Sequence, residues 1–288
     1  MPRHPRIHAP GLLFHIIARG NNGQKVFLEN ADYEAFLNCL RQVRDRYPYY
    51  LYAYALMPNH LHLLMEVIDV PTARIMQSLL TGYVRGFNRT YGRRGHLFQG
   101  RYKAIVCDRD SYLLELVRYI HLNPVRAGLV RRPGEWKWSG HGEYLGKQKR
   151  GLINPGPVMG ELRRPARYEA FVRDGIKEGY RAEWHPGDHE PFLGAEGFLR
   201  RIVKTEERIG PRRPVAMEAL CKQIAKEAGF SPDALRGRGR SAPLVAARHR
   251  FMRRAVLEEG YGSVKVATFL GCHASNVSRA LQEVPSGT

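Results

Sequence analysis

Two apolar runs separated by two residues constrain this chain more than any other stretch. Tyr49–Met57 reads YYLYAYALM and His60–Val67 reads HLHLLMEV, with Pro58 and Asn59 between them. Aromatic and aliphatic residues suit a pleated, buried surface, and a two-residue connection folds two such runs back on each other as a hairpin. Side chains alternate along a strand, so His60, His62, Leu64 and Glu66 point one way and Leu61, Leu63, Met65 and Val67 the other. Two imidazoles on one strand face can share a divalent metal, because neutral imidazole nitrogen is a common ligand and the strand already holds the rings near each other. Partly exposed strand histidines without a ligand have the same spacing, so the pair alone leaves both readings open.

The flanking segments place this hairpin. Leu12–Arg19 (LLFHIIAR) is a compact apolar run closed by the turn Gly20-Asn21-Asn22-Gly23, a first strand. Asn30 or Asp32 can cap a helix whose apolar residues Tyr33, Phe36, Leu37, Leu40 and Val43 recur at helical spacing until Pro48. Ile75, Leu79, Tyr83 and Phe87 mark a second helix, Gly92–Gly100 a glycine- and arginine-rich loop, and Tyr102–Cys107 a fourth strand, after which Asp108 or Asp110 caps a third helix. The order β-α-β-β-α-β is the ferredoxin-like arrangement, an α+β fold with two helices on one face of a four-stranded sheet and the histidine strand in its central pair. The third helix is an addition to it. Leu113, Leu116, Val117 and Ile120 form its core stripe, while Tyr119 and Asn123, four apart, lie one above the other away from the stripe's centre. Pro124 disfavours helical geometry at Asn123, so the helix is expected to end about there, with the Asn123 amide oxygen still within reach of a metal. A tyrosine hydroxyl beside a metal is a candidate nucleophile, since the cation stabilises phenolate and polarises a phosphoryl oxygen. An ordinary amphipathic-helix tyrosine fits the same pattern.

Charge narrows the partners. The 288 residues hold 46 Lys and Arg against 27 Asp and Glu, a formal charge of +19, and residues 1–150 and 151–288 are each basic. Such a balance points to a polyanion. Cys39, Cys107, Cys221 and Cys272 are widely spaced and read as reduced thiols. No run has signal-peptide or membrane-span character, so a cytoplasmic location and no membrane partner are expected.

The segments RGNNGQKVF (Arg19–Phe27), YALMPNHLHLLMEV (Tyr54–Val67), GHLFQGRYKA (Gly95–Ala104) and RYIHLNPVRAGLV (Arg118–Val130), followed by WKWS (Trp136–Ser139), resemble the IS200-type transposases, and among them the REP-associated tyrosine transposases. The resemblance covers about residues 7–145. It implies an HUH single-strand nuclease in which His60 and His62 bind a divalent ion, Mg²⁺ or Mn²⁺, Asn123 stands where a third amide ligand is found, and Tyr119 is the nucleophile. Many IS200-type enzymes have glutamine at the third position; asparagine is shorter. The implied substrate is a single-stranded DNA hairpin formed by a palindromic repeat, with Arg93, Arg94, Arg101, Lys103, Arg126, Arg131 and Arg132 on its phosphates. IS200-type enzymes act as homodimers that share the tyrosine helix, whereas the REP-associated branch can complete its site within one chain. His96 and His121 are set aside as ligands; His121 is two positions from Tyr119 and points elsewhere on a helix.

Beyond Trp138 the pattern loosens. Gly151–Gly160 reads as a linker, Tyr168–Gly179 as a short helix and His185–Gly194 as a second break, so residues 1–150 form the transposase-like domain, 151–194 a linker with a short helix, and 195–288 an all-α domain, helical again from Phe198. In that domain Val215–Ala228 and Ala246–Glu259 are helical and Arg236–Arg240 a flexible basic loop. Val264–Leu270, a turn at Gly271-Cys272-His273 and Ala274–Gln282 read as helix-turn-helix, with Ser275, Asn276, Ser278 and Arg279 suited to a major groove of duplex DNA. This end is similar to the DNA-binding end of the bacterial replication initiator; a helical bundle for protein contacts is the alternative. Two other functions fit part of the chain: a DNA-binding regulator with a vestigial nuclease site, and an RNA-binding module stacking bases on Tyr50, Tyr52 and Tyr54.

Overall fold

The computed structural model describes residues 9–178, 192–195, 197–198, 215–237, 239–259 and 261–282, and the chain divides into two compact units, Met1–Gly210 and Pro211–Thr288. In the first unit, β1 (Leu13–Arg19), α1 (Asn30–Arg46), β2 (Tyr49–Met57), β3 (His60–Val67), α2 (Thr72–Thr90) and β4 (Lys103–Cys107) follow one another in the ferredoxin-like order. The strands lie in the order β2-β3-β1-β4, with β3 antiparallel to both neighbours. A two-residue strand β5 (Phe192–Leu193) adds a fifth member parallel to β4. It falls within the stretch read as a break: two residues are too few for any alternation, and they join the sheet through backbone bonds such as Asp108 N–H to the Leu193 carbonyl at 2.8 Å. Residues 185–191 of that stretch, and residues 199–214 of the helical run expected from Phe198, lie outside the described residues.

Register fixes what each face carries. His62 pairs with Ile17 of β1 and Ala55 of β2, Ile17 pairs onward with Lys103 of β4, and His15 pairs with Leu64. His15, His60, His62 and Lys103 therefore share one face. On the other face Tyr49 donates its hydroxyl to the Leu40 carbonyl of α1 at 2.9 Å, and Phe36 of α1 meets Tyr83 of α2 edge-on at 5.1 Å. Those two helices bury Leu61, Leu63 and Met65 completely. Helix α1 starts at a reciprocal cap between Glu29 and Asp32, one residue before the expected start.

Helix α3 (Arg109–Arg126) covers the histidine face, with Leu116, Val117 and Ile120 fully buried. It does not stop at Asn123, contrary to expectation: Pro124 lies inside it. Proline removes one backbone donor, and here side chains brace the turn instead. Asn123 Nδ2 and Arg126 Nη1 both donate to the Tyr119 carbonyl, at 3.2 and 3.3 Å, while the N–H groups of Ala127 and Leu129 close onto Asn123 and Pro124 at 2.9 and 3.0 Å. Tyr119 is buried, 1% exposed, rather than at the margin of the stripe.

The residues read as a linker are packed. Leu152, Val158, Tyr168 and Val172 are fully buried, in α5 (Gly156–Leu162), α6 (Pro165–Asp174) and the strand-like approach to them, after the short α4 (His141–Tyr144). Proline at helix starts, at Pro157 and Pro165, serves initiation rather than flexibility. Leu56 N–H bonds the Trp138 carbonyl and Gly140 N–H the Tyr54 carbonyl, at 2.9 and 3.0 Å, so this segment also covers the outer edge of β2.

The second unit has helices Met217–Glu227, Pro232–Arg236, Ala242–Arg253, Ser263–Leu270 and Ala274–Gln282 around Leu220, Ile224, Phe251, Leu270 and Val277. The helix expected over Ala246–Glu259 starts earlier, and its last turn, Arg254–Glu258, is a π-helix. Gly271, at φ 63°, separates the last two helices. Of the described residues in Arg236–Arg240, expected to be flexible, Gly237 accepts from the Arg248 guanidinium at 2.5 Å, and the same guanidinium donates to the carbonyls of Leu235 and Ala234 at 2.7 and 2.8 Å. A short helix end exposes such carbonyls, and a guanidinium fork reaches several at once. Among the described residues, no helix is long and apolar enough to cross a membrane.

Candidate active site

Strand alternation and the crossing of α3 bring three of the expected residues together. The His60 and His62 rings lie 5.1 Å apart at 80°, and the Tyr119 ring meets His62 edge-on at 6.2 Å. His62 is 1% exposed; His60, at the start of β3, is half-buried. His60 Nδ1 is 2.7 Å from Asn59 Oδ1. An amide oxygen only accepts, so the His60 proton belongs on Nδ1 and its Nε2 carries the lone pair, the tautomer a metal-bound imidazole needs. Among the described residues no group of three or more His, Cys, Asp or Glu is disposed to hold a metal. A cation here would rest on the two imidazoles, with amide, phosphate or water oxygens completing its shell, which suits Mg²⁺ or Mn²⁺.

Asn123 and Arg126 both sit on the tyrosine's own turn. Besides their shared bond to the Tyr119 carbonyl, the Arg126 guanidinium lies 5.0 Å over the Tyr119 ring. Arg126, expected on DNA phosphates, is thus placed beside the candidate nucleophile. Arg93 donates to Gln24 Oε1 at 2.6 Å, and Lys103 shares the cross-strand row of His62. Arg94, Arg101, Arg131 and Arg132 are exposed, the last two flanking Glu135, whose Oε2 accepts from their backbone N–H groups at 2.9 and 3.2 Å. In the second unit Ser275, Asn276 and Arg279 are exposed on the final helix, with Ser275 Oγ 2.8 Å from His273 Nδ1.

Sequence reasoning missed His15. It is 1% exposed, its Nε2 is 3.0 Å from His62 Nδ1, its ring stacks on His62 at 5.2 Å, and it meets Tyr119 edge-on at 6.0 Å. The signal was alternation in β1, which becomes readable only once β1 and β3 are in register. Also missed was a buried polar chain behind α3: Tyr168 OH lies 2.7 Å from His121 Nδ1 and 2.9 Å from His141 Nδ1. It ties α6 and α4 to the tyrosine helix, as does Arg118, 4.7 Å over the Phe171 ring.

Burial drives the His141 pKa down to about 4 and holds His121 well below the ordinary histidine value; the Lys147 ammonium further disfavours a proton on His141, and a proton on His141 would oppose one on His121. Both are neutral in the fold and titrate normally when unfolded, so the unfolded chain binds more protons below pH about 6.5. Stability is therefore complete above that pH and declines as pH falls toward 4. For His141 alone the loss is on the order of 3 kcal/mol. Thermal melts at pH 7.5 and pH 5 should show a clear drop at the lower pH; equal melting temperatures would mean that these rings are solvated and not held neutral.

Residues 9–123 match the family described as IS200-like transposases, in agreement with the resemblance read from the sequence. A Haemophilus influenzae chain described as a REP-associated tyrosine transposase is 28% identical over 115 residues, covering 36% of this chain and 65% of that one. The match thus spans just under two thirds of that relative. A solved structure of a REP-associated tyrosine transposase bound to a REP hairpin aligns with a TM-score of 0.44 at 18% identity, over 53% of this chain and 88% of that chain.

Proposed function

With residues 9–123 accounted for by the IS200-like transposase family, we propose that the first unit cleaves and rejoins single-stranded DNA beside hairpin repeats, using Tyr119 as nucleophile. The observation that carries this reading is the edge-on approach of Tyr119 to His62, 6.2 Å between rings, within one chain. The Tyr119 oxygen attacks the scissile phosphorus, the P–O3′ bond breaks, the departing oxygen takes up a proton as a 3′-hydroxyl, and the 5′ phosphate stays on the tyrosine. A second 3′-hydroxyl reverses the step and joins a new strand. His60, His62 and the Asn123 amide oxygen would hold Mg²⁺ or Mn²⁺, which neutralises charge on the scissile phosphate. The Arg126 guanidinium, 5.0 Å over the ring, supplies positive charge beside the phosphate that Tyr119 attacks. Lys103 and the exposed Arg94, Arg101, Arg131 and Arg132 supply phosphate contacts. Because Tyr119 meets the histidines of its own chain, a homodimer is not needed to complete the site. The second unit would hold duplex DNA through Ser275, Asn276 and Arg279.

One observation favours the rival, a DNA-binding regulator with a vestigial site: Tyr119 is 1% exposed, so a phosphate reaches its hydroxyl only if the side chains around it give way. A covalent-capture assay separates the two. A single-stranded hairpin from the repeats flanking the gene, labelled 3′ of the cut, is incubated with Mn²⁺, Mg²⁺ or chelator and run under denaturing conditions. A metal-dependent protein–DNA band is expected. Tight hairpin binding with no adduct under any condition would leave the regulator as the better reading.

A further inference from the structure

We propose that His15 is a positioning residue that sets the tautomer of His62, an inference that rests on the metal-dependent nuclease reading above. His15 lies on β1, opposite Leu64 and on the same face as His62. The two rings stack at 5.2 Å and 21°, and His15 Nε2 is 3.0 Å from His62 Nδ1. A hydrogen bond between two neutral imidazoles needs a proton on one nitrogen and a lone pair on the other. If His15 donates, the His62 proton is forced onto Nε2, where it blocks a metal. If His15 accepts, the His62 proton sits on Nδ1 and Nε2 presents its lone pair. The site therefore works only with His15 as acceptor, its own proton on Nδ1.

His60 has the matching device in Asn59, whose Oδ1 takes the Nδ1 proton at 2.7 Å. Each metal-holding ring thus has its own acceptor, one from the hairpin turn and one from the neighbouring strand. A partner of this kind orients the ring and raises its basicity. The choice of imidazole in place of carboxylate has a physical consequence. A carboxylate buried at His15, 1% exposed, would cost desolvation and set a negative charge close to the incoming phosphate, whereas a neutral ring accepts the same proton without either penalty. The two ring planes are 21° apart, so the acceptor lone pair, which lies in the plane of its ring, stays aligned with the His62 N–H.

The test uses the full chain and compares His15→Phe, which keeps an aromatic ring at the position but has no acceptor, with His15→Gln, whose amide oxygen can accept near the position of Nε2. Two readouts do not depend on turnover: Mn²⁺ affinity by calorimetry, and the His62 tautomer in metal-free protein from ¹⁵N side-chain spectra. Wild type should show His62 protonated on Nδ1. His15→Phe should weaken Mn²⁺ binding about 10- to 100-fold and release the tautomer, and His15→Gln should restore both toward wild type. A wild-type His62 protonated on Nε2 overturns the inference, as does undiminished Mn²⁺ affinity in His15→Phe. If His15→Phe fails to fold, the wild-type tautomer and the Gln variant still decide. His60→Ala and His62→Ala are run alongside. Loss of Mn²⁺ in those two with none in His15→Phe removes only the role of His15, whereas Mn²⁺ binding unchanged in all of them removes the metal reading with it.

Discussion

Replacing Tyr119 with phenylalanine is expected to abolish the DNA adduct while leaving the fold and hairpin binding in place. The hydroxyl oxygen is the only atom removed, and it is the atom that would attack phosphorus. Loss of a nucleophile that forms a covalent intermediate lowers turnover by at least about 10³-fold, because water placed in the same site is neither activated nor oriented in the same way. The ring itself stays useful. It packs edge-on to both His15 and His62 and under the Arg126 guanidinium at 5.0 Å, and phenylalanine keeps all three contacts. The stability cost should be that of one hydroxyl, about 1 kcal/mol. Hairpin affinity measured by gel shift, together with the melting temperature, separates loss of chemistry from loss of structure. Metal-dependent cleavage surviving in Tyr119→Phe would assign the nucleophile to another group. The hydroxyl of Tyr168 is buried against His121 and His141 behind the helix, so it offers no easy substitute.

Most of the sheet was legible because its signals are local. The β2–β3 hairpin follows from a nine-residue apolar run, a Pro-Asn turn and an alternating partner, and its observed bounds are those read from the sequence. The runs of α1 and α2 follow from periodicity, although α1 is capped at Glu29 rather than at the expected Asn30 or Asp32. What failed to read was set by side-chain contacts that composition and backbone rules do not report, some within one segment and some distant in sequence. The end of α3 was misplaced because Pro124 was weighed against backbone geometry alone, while Asn123 and Arg126 supply side-chain donors to the same turn. Gly151–Gly160 looked like a linker from its composition, yet Leu152 and Val158 are fully buried against the first unit's own elements. His15 was invisible for a similar reason: a single histidine in an apolar strand gives no signal by itself, and His62 is 47 residues away. At the candidate site, His60 and His62 were readable from alternation and Tyr119 from helical spacing together with family resemblance. His15, which lies against them, was not, and of the α6 segment a short helix over Tyr168–Gly179 was read but not its contacts with His121 and His141.

The α6 segment leads to the second large expectation. Changing Tyr168 to phenylalanine should lower the melting temperature of the full chain by roughly 5–15 °C, although the volume change is one oxygen. The Tyr168 hydroxyl lies between His121 Nδ1 and His141 Nδ1, at 2.7 and 2.9 Å, at a point where Tyr168 and His121 are fully buried and His141 is 2% exposed. Removing it strands two buried ring nitrogens, each costing about 1–3 kcal/mol, and one kcal/mol moves the midpoint of a domain this size by about 2–4 °C. Among the described residues His121 Nε2 already has no hydrogen-bond partner, so His121 would lose its only one. The ring stack of Tyr168 on Tyr144, 4.5 Å between centroids, persists in the phenylalanine variant and confines the effect to the hydroxyl. Since His121 belongs to the same helix as Tyr119, two residues on, the loss should also loosen the tyrosine's turn. Adduct formation in Tyr168→Phe is expected to fall off at a lower temperature than in wild type, in step with the shifted melt. A melting temperature unchanged by the substitution would show that the histidines find other partners, and would place the anchoring of α3 in the apolar contacts and in Arg118 over Phe171 instead.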